Sequence, residues 1–213
     1  MTVLTQRYTQ AVDYARVAHA PQFRKGTRIP YLYHLLGVSS MVLEYGGNED
    51  QAIAGLLHDV LEDCGAEHEA SIRAQFGDAV ATIVKDCTDG TAEAKGSFDT
   101  IEAKRADWLN RKLAYMAHLA KEPDASLLVS ACDKLHNARA IVADAEGDAG
   151  LRVFDRFTAG RDGTLKYYES LARVFLKRAP DGTARFHELA REFDRTVAKM
   201  HALAGVTERQ DLS

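Results

Sequence analysis

Four ionisable side chains cluster near residue 60 as two adjacent pairs, His58-Asp59 and Glu62-Asp63. They end the stretch 53–63, Ile-Ala-Gly-Leu-Leu-His-Asp-Val-Leu-Glu-Asp, whose apolar residues recur at helical spacing. At about 100° per residue, Asp59 and Glu62 fall on one stripe of a helix, flanked by His58 and Asp63. Imidazole and carboxylate groups on one face can bind a metal ion and transfer protons.

Two residues with almost no side chain, Ala52 and Gly55, lie upstream on the same stripe. Their small size predicts room for an ion and a substrate beside the acidic groups. The alternative is a solvated polar face on an ordinary helix, which this stretch alone does not exclude. Further ligands elsewhere in the chain are needed to favour the metal hypothesis.

Two other residues could complete a metal site. His34 lies early in a predicted helix, within Pro-Tyr-Leu-Tyr-His-Leu-Leu, where a histidine is more often a packed core residue. Asp133 follows Leu-Leu-Val-Ser-Ala-Cys, where an unpaired carboxylate is costly to bury and a divalent cation would remove that cost. The alternative for Asp133 is a carboxylate that faces water and pairs with Lys134.

Together, these four side chains would give two imidazoles and two carboxylates. That mixed set suits Mn²⁺, Fe²⁺ or Zn²⁺, with positions left for water and substrate, and the lack of a thiolate favours a single Mn²⁺. Glu62 and Asp63 would then act as the acid/base groups that orient or deprotonate water. A second metal would need His68 or His118, and neither has a suitably placed acidic neighbour.

Basic and aromatic residues match an anionic nucleotide substrate. Each basic residue alone is more often a solvated surface charge, but together they could hold several phosphates. Asn137 follows Asp133 by one helical turn on the same face, and Tyr168 could stack on a base, although it or Tyr167 is expected in the core. The candidate contacts are Arg24, Lys25, Lys112, Asn137, Arg139, Arg161 and Tyr168.

Composition limits the classes of function. The chain has 213 residues, 46% of them hydrophobic, and a net charge of −4, which argues against general nucleic-acid binding. Cys64, Cys87 and Cys132 show no paired spacing, which predicts reduced thiols and a cytoplasmic protein. The N-terminus lacks an apolar signal core and no run approaches the ~20 apolar residues of a membrane span. Whether the chain forms an oligomer is left open.

The fold is predicted to be all-α, a helical bundle of about ten helices, because strand alternation is essentially absent. Helical patterns cover residues 5–20, 30–45, 48–65, 68–76, 78–87, 102–121, 125–145, 164–179 and 184–204, with a short segment at 149–158. Gly and Pro residues separate them, including a predicted turn at 160–163. Residues 88–101 are predicted to form a polar surface loop, with a role as a lid one option.

The combined pattern resembles the HD-superfamily metal phosphohydrolases, and within them the alarmone-hydrolase branch, which includes small stand-alone enzymes. The matching text is Arg24-Lys25-Gly26, Pro30-Tyr31 with His34, Leu56 to Asp63, Phe76-Gly77, Cys87-Thr88 and Asp133-Lys134-Leu135-His136-Asn137-Ala138-Arg139. The resemblance covers about residues 8–175. It departs from the family at Leu35, where proline is usual, and residues 161–168 look like a variant found in small bacterial members.

The resemblance implies an all-α enzyme that binds one Mn²⁺ and removes pyrophosphate from the 3′ position of guanosine tetra- and pentaphosphate. It implies Glu62 and Asp63 as the groups that position and activate water, and Arg24, Lys25 and Asn137 as substrate contacts. It implies as metal ligands His34, His58, Asp59 and Asp133. The phosphohydrolase domain is expected to span residues 1–179, with 180–213 as a helical extension packed on it.

Two other hypotheses stay open at this point. The same chemistry could act on another nucleotide, an adenosine alarmone or the 2′-phosphate of NADPH, because base preference is not readable from residues 22–28 and 161–168. A different class of function is a non-catalytic nucleotide sensor or partner-binding helical domain. The presence of every ligand type together with the Glu62-Asp63 pair argues against that second hypothesis.

Overall fold

The computed structural model describes residues 2–88 and 100–212, and these fold into α-helices. The helices are α1 (Gln6–Ala18), α2 (Leu32–Glu44), α3 (Glu49–Leu57), α4 (Val60–Asp63), α5 (His68–Phe76), α6 (Asp78–Cys87), α7 (Ile101–Leu119), α8 (Asp124–Glu146), α9 (Gly160–Arg178) and α10 (Ala184–Leu203). Short 3-10 segments cover Gly150–Arg156 and Ala179–Asp181. Apart from one isolated bridge between Phe23 and Pro30, the described residues form no β-structure, which confirms the predicted all-α fold of about ten helices. In this part of the chain, every helix is too short or too polar to cross a bilayer.

Two predicted boundaries differ from the structure. The single helix expected over 48–65 is interrupted at His58 and Asp59, so α3 ends at Leu57 and α4 covers only four residues. The turn expected at 160–163 is instead the first turn of α9. The loop predicted at 88–101 lies mostly outside the described residues, although Thr100 caps α7 by accepting a hydrogen bond from the amide of Ala103.

The chain divides into two compact units. The first unit comprises Met1–Gly96 and Glu122–Asp133, and the second unit comprises Ser97–Lys121 and Lys134–Ser213. The division falls inside α8, whose first turns belong to the first unit. The boundary predicted at residue 180 does not coincide with this division, and it stays a prediction.

Close packing of α2 on α3 forms the centre of the first unit. The Ser39 hydroxyl on α2 donates to the carbonyl of Ala52 on α3 at 2.8 Å. One turn later, a Cβ atom added to Gly55 would lie 3.2 Å from Cα and 3.3 Å from N of Ser39. The interpretation that Gly55 leaves room for an ion and substrate is therefore wrong, because its missing side chain is what lets the α2 backbone approach, and the same interpretation of Ala52 stays a prediction.

The N-terminal ends of α3 and α8 are held by side chains within the first unit. Asn48 and Gln51 form a capping box at the start of α3. The Gln51 amide also donates to the carbonyl of Ala125 at 3.1 Å, and Ser126 donates to Asp86 at 2.7 Å. These bonds fix the first turns of α8 against α3 and α6, and so determine where Asp133 lies.

The second unit has an aromatic core between α9 and α10. Phe193 stacks on Tyr168 at 6.1 Å between ring centroids and meets the edge of Phe175 at 5.1 Å. Beyond α10, the chain returns to α9, where Arg209 pairs with the buried carboxylate of Glu169. The C-terminal residues therefore pack on α9 instead of extending away from it.

We expect Gly55→Ala to destabilise the protein. Overpacking of this kind costs about 1–3 kcal/mol, whereas replacing glycine by alanine in a helix returns roughly 1 kcal/mol. The free energy of unfolding of the metal-free protein, measured in urea, should therefore fall by about 1 kcal/mol. Gly147→Ala is the matched control, because a Cβ atom there comes no closer than 3.4 Å to its neighbours. A Gly55→Ala protein as stable as the control would show that α2 can move away without cost.

Candidate metal centre

His58 takes its position from the break between α3 and α4. It is the C-cap residue of α3, and its Nδ1 lies 2.9 Å from the carbonyl oxygen of Gly55. Because a carbonyl can only accept, Nδ1 must carry a proton, which leaves the lone pair of the neutral ring on Nε2. The ring is 2% exposed. A buried Nε2 held in this tautomer is ready to bind a cation.

His34 lies in the first turn of α2, after a loop that is closed by backbone hydrogen bonds. The amide of Arg24 donates to the carbonyl of Ile29 at 2.8 Å, and the amide of Tyr31 donates to that of Gln22 at 3.0 Å. Gly26 occupies the turn with a φ of 74°, a conformation that favours glycine. The loop thus delivers α2 with the ring of His34 fully buried.

The four predicted ligands meet within the first unit. Asp59 Oδ2 lies 3.0 Å from Nε2 of His58 and 3.6 Å from Nε2 of His34. Asp133 Oδ1 lies 3.1 Å from Nε2 of His34 and 3.6 Å from Nε2 of His58. Three separate stretches of sequence therefore bring two imidazole nitrogens and two carboxylate oxygens to one place.

This donor set fits a divalent cation. Two ligand atoms at right angles, each about 2.1 Å from a metal ion, lie about 3 Å apart, close to the separations seen here. His34, His58 and Asp59 have ligand atoms that all lie within 4.8 Å of one another. A buried carboxylate, Asp133, and a half-buried one, Asp59, beside two buried imidazoles also call for a cation, because isolated charges are costly to bury. His34, His58 and Asp59 therefore form a candidate divalent-metal site, and the role of Asp133 as a fourth ligand stays a prediction.

Within the cluster, the pKa values of the two histidines are shifted in opposite directions. Burial lowers the pKa of His34 below its ordinary value. Burial acts on His58 in the same direction, but the charge of Asp59 and the contacts with Asp133 outweigh it, so the pKa of His58 is raised. In Asp59, the effect of burial is overcome by His58, and the pKa of the carboxyl group is lowered. Without a cation, His58 and Asp59 form an ion pair, whose proton a metal would displace.

The predicted acid/base pair lies on α4, which starts directly after Asp59. Glu62 is half-buried and Asp63 is exposed. The amide of Asp63 donates to the carbonyl of Asp59 at 2.9 Å, so the short helix links the pair to a candidate ligand by one turn of backbone. The assignment of Glu62 and Asp63 as catalytic groups stays a prediction.

Two of the predicted substrate contacts lie in the first unit. The guanidinium carbon of Arg24 lies 5.7 Å from the centre of the Tyr31 ring, a cation–π arrangement beside the metal site. Lys25 follows it at the exposed tip of the loop. Their positions are compatible with contacts to a nucleotide, which stay predictions.

The other predicted substrate contacts lie in the second unit, and several of them interact with side chains of the same unit. Lys112 lies over the ring of Tyr167 at 5.1 Å. Arg139 pairs with Glu192 at 3.3 Å, and Arg161 pairs with its neighbour Asp162 at 2.8 Å. Asn137 is half-buried on α8. Their contacts with substrate stay predictions.

Tyr168 was expected to stack on a base if it was not the core residue of the Tyr167-Tyr168 pair. Both rings are only 7% exposed, and Tyr168 stacks on Phe193 instead. The reason is that α9 is covered by α10, which turns this face of the helix into core. The packing therefore gives no support to stacking of Tyr168 on a base.

One residue close to the metal site was not singled out from the sequence. The Tyr31 hydroxyl donates to Asp59 Oδ2 at 2.6 Å. Burial and the neighbouring charge of Asp59 raise the pKa of this phenol far above its ordinary value, so it keeps its proton. The spacing in the sequence does indicate that Tyr31 lies near the site, because it precedes His34 by three residues and therefore falls on the same side of the helix start.

Known proteins share both the sequence pattern and the fold. A guanosine-3′,5′-bis(diphosphate) 3′-pyrophosphohydrolase, MESH1 of Xenopus tropicalis, is 33% identical over 133 residues, which is 61% of this chain and 66% of the frog protein. A probable guanosine-3′,5′-bis(diphosphate) 3′-pyrophosphohydrolase of a Synechocystis species is 32% identical over 134 residues, 63% of this chain but 16% of that protein. The chain thus spans just under two thirds of the first relative and a small part of the second.

A solved structure and a family profile complete the comparison. The structure of a metazoan orthologue of SpoT, described as hydrolysing ppGpp, superimposes with a TM-score of 0.65 at 20% identity, covering 97% of this chain and 99% of that one. At that identity, the likeness shows the fold alone. The profile described as "HD domain" matches residues 11–165, well over half of the sequence. Its span includes all four converging side chains, and the chain therefore belongs to the HD-domain family.

Proposed function

We propose that this protein is a metal-dependent phosphohydrolase that removes the 3′-pyrophosphate from guanosine tetra- and pentaphosphate. The observation that carries the proposal is the approach of two imidazole nitrogens and two carboxylate oxygens to 3.0–3.6 Å within one unit. The names of the relatives support the choice of substrate. A cytoplasmic location is part of the proposal and accords with three free cysteines.

The proposed metal is a single Mn²⁺, held by His34, His58, Asp59 and Asp133. The donors are nitrogen and oxygen atoms without sulfur, a set that suits Mn²⁺, with Fe²⁺ and Zn²⁺ as alternatives. When bound, the cation supplies Lewis-acid stabilisation of charge on the phosphate and makes water more acidic. The protein's part is to hold the four donor atoms close to one point, and the proton shared by His58 and Asp59 would be given up on metal binding.

The proposed reaction is a displacement at phosphorus. The oxygen of water forms a bond to the phosphorus attached to ribose O3′, and the bond between that phosphorus and O3′ breaks. Glu62 or Asp63 accepts the proton that water loses, and the protonated carboxyl group then returns a proton, directly or through solvent water, to O3′ as it leaves. Arg24 and Lys25 would balance the negative charge of the substrate from the loop that precedes α2.

A panel of nucleotides tests the substrate class. With added Mn²⁺, guanosine tetraphosphate should release pyrophosphate, and the release should stop when a chelator is added. Guanosine alarmones, adenosine alarmones and NADPH are compared for release of pyrophosphate and of phosphate. A preference for an adenosine alarmone or for NADPH would keep the chemistry and change the substrate. Absence of turnover on every nucleotide would support a non-catalytic nucleotide-binding module.

Metal content tests the ligand set. We expect Asp59→Ala and Asp133→Ala to lower bound Mn²⁺ from about one ion per chain to less than about a tenth, because each removes a charged donor. Turnover should be lost in both variants. Asp13→Ala, which removes an exposed carboxylate that pairs with Arg16 one turn away, is the matched control. Full metal content in the Asp133→Ala protein would remove Asp133 from the site.

The roles of Glu62 and Asp63 are tested by Glu62→Gln and Asp63→Asn. Because these carboxylates are proposed to accept a proton and not to bind the cation, metal content should stay unchanged. The value of kcat should fall by about 10²–10⁴-fold for the residue that acts as base. Glu44→Gln on the exposed face of α2 is the control. Full rates in both variants would show that the acid/base assignment is wrong.

A further inference from the structure

The hydroxyl of Tyr31 binds the carboxylate oxygen that faces both histidines. It donates to Asp59 Oδ2 at 2.6 Å, and the same oxygen lies 3.0 Å from His58 and 3.6 Å from His34. Carboxylates that bind metal ions are commonly oriented by hydrogen bonds from neighbouring groups. The phenol is therefore placed to decide which way Asp59 Oδ2 points.

The ring of Tyr31 is itself held from two sides. It stacks on His19 with ring centroids 5.2 Å apart and an angle of 24° between the planes. It also meets His34 edge to face at 5.5 Å. His19 is 3% exposed and its Nδ1 bonds to the side-chain oxygen of Gln22. A ring confined in this way has few alternative rotamers, so its hydroxyl is directed at Asp59 with little freedom.

His19 and Gln22 connect this ring to α4 as well. The Gln22 amide lies 3.5 Å from the carbonyl oxygen of Asp63, and the Cys64 thiol lies 3.4 Å from the carbonyl oxygen of Ala18. The end of α1 is thus tied to Cys64 directly and to Asp59 through the stacking of Tyr31 on His19, while Gln22 in the following loop contacts Asp63. These contacts form a supporting layer beneath the proposed ligands and the proposed acid/base pair.

We propose that Tyr31 is a positioning residue, which orients Asp59 for the cation and is itself fixed by stacking on His19. The inference rests on the proposed metal site, and it adds to that site a residue that binds neither metal nor substrate. Loss of the hydroxyl leaves Asp59 free to rotate between orientations, only some of which bring Oδ2 to the cation. Loss of such supporting bonds typically weakens metal binding about 10–100-fold.

Titration with Mn²⁺ alone tests the proposal, with free Mn²⁺ followed by electron paramagnetic resonance. Tyr31→Phe removes the hydroxyl and keeps the ring that stacks on His19. We expect its Kd for Mn²⁺ to rise about 10-fold or more, with the metal-free protein melting as the wild type does. Turnover lost at low Mn²⁺ should be regained when Mn²⁺ is raised above the new Kd.

Tyr14→Phe is the matched control. It also removes a phenol of the first unit that bonds to a side chain, here Nδ1 of His68 at 2.6 Å instead of Asp59. Its Kd for Mn²⁺ should stay within about twofold of the wild-type value. Tyr31→Leu, which removes hydroxyl and ring, should weaken binding at least as much as Tyr31→Phe does.

The outcomes separate this inference from the proposed function. If the wild type binds Mn²⁺ and Tyr31→Phe binds it equally well, Tyr31 does not position Asp59, and the metal site stands. If only Tyr31→Leu is impaired, the ring matters for packing alone and the inference is likewise overturned. If the wild type binds no Mn²⁺, the proposed metal site fails first and the inference falls with it.

Discussion

Two carboxylates, Asp59 and Asp133, lie beside the same pair of buried imidazoles, and this arrangement is the constraint on which the first unit depends. Their like charges oppose each other: Asp133 raises the pKa of Asp59, although His58 more than offsets that effect. Without a cation, the balance relies on a proton shared with His58. Such a cluster persists only because rigid surroundings hold it together, so the packing of α2, α3 and α8 determines whether it can form.

Two features of the backbone bring the cluster together: the close approach of α2 to α3, and the break between α3 and α4. Gly55 lets α2 lie against α3, while Ser39 satisfies the carbonyl of Ala52 across the contact. The helix α3 ends at Leu57, His58 follows as its C-cap, and α4 begins directly after Asp59. The turn between the helices lets His58 and Asp59, although adjacent in sequence, direct Nε2 and Oδ2 towards the same place.

Much of this could be predicted from the sequence, because the helix ends carry local signals. The capping box at Asn48 and Gln51 and the separation of α5 from α6 at Gly77 follow from side-chain chemistry and glycine conformation. The break at His58 could not be predicted, since the apolar residues on both sides keep one helical period and both break residues retain right-handed dihedral angles. The burial of Tyr168 could not be predicted for a related reason, since it depends on Phe193, which lies on a different helix.

At this site, the sequence predicts which residues come together but not which atoms of those residues face one another. The spacing of histidines and acids predicts which side chains meet, but it does not say which ring nitrogen faces inwards. In His58, that choice is made by the carbonyl of Gly55, a backbone atom in the preceding turn. In Asp59, one oxygen is selected by a phenol from a loop 28 residues earlier. Metal affinity depends on such orientation, so substitutions among the supporting groups can change the site while every ligand is retained.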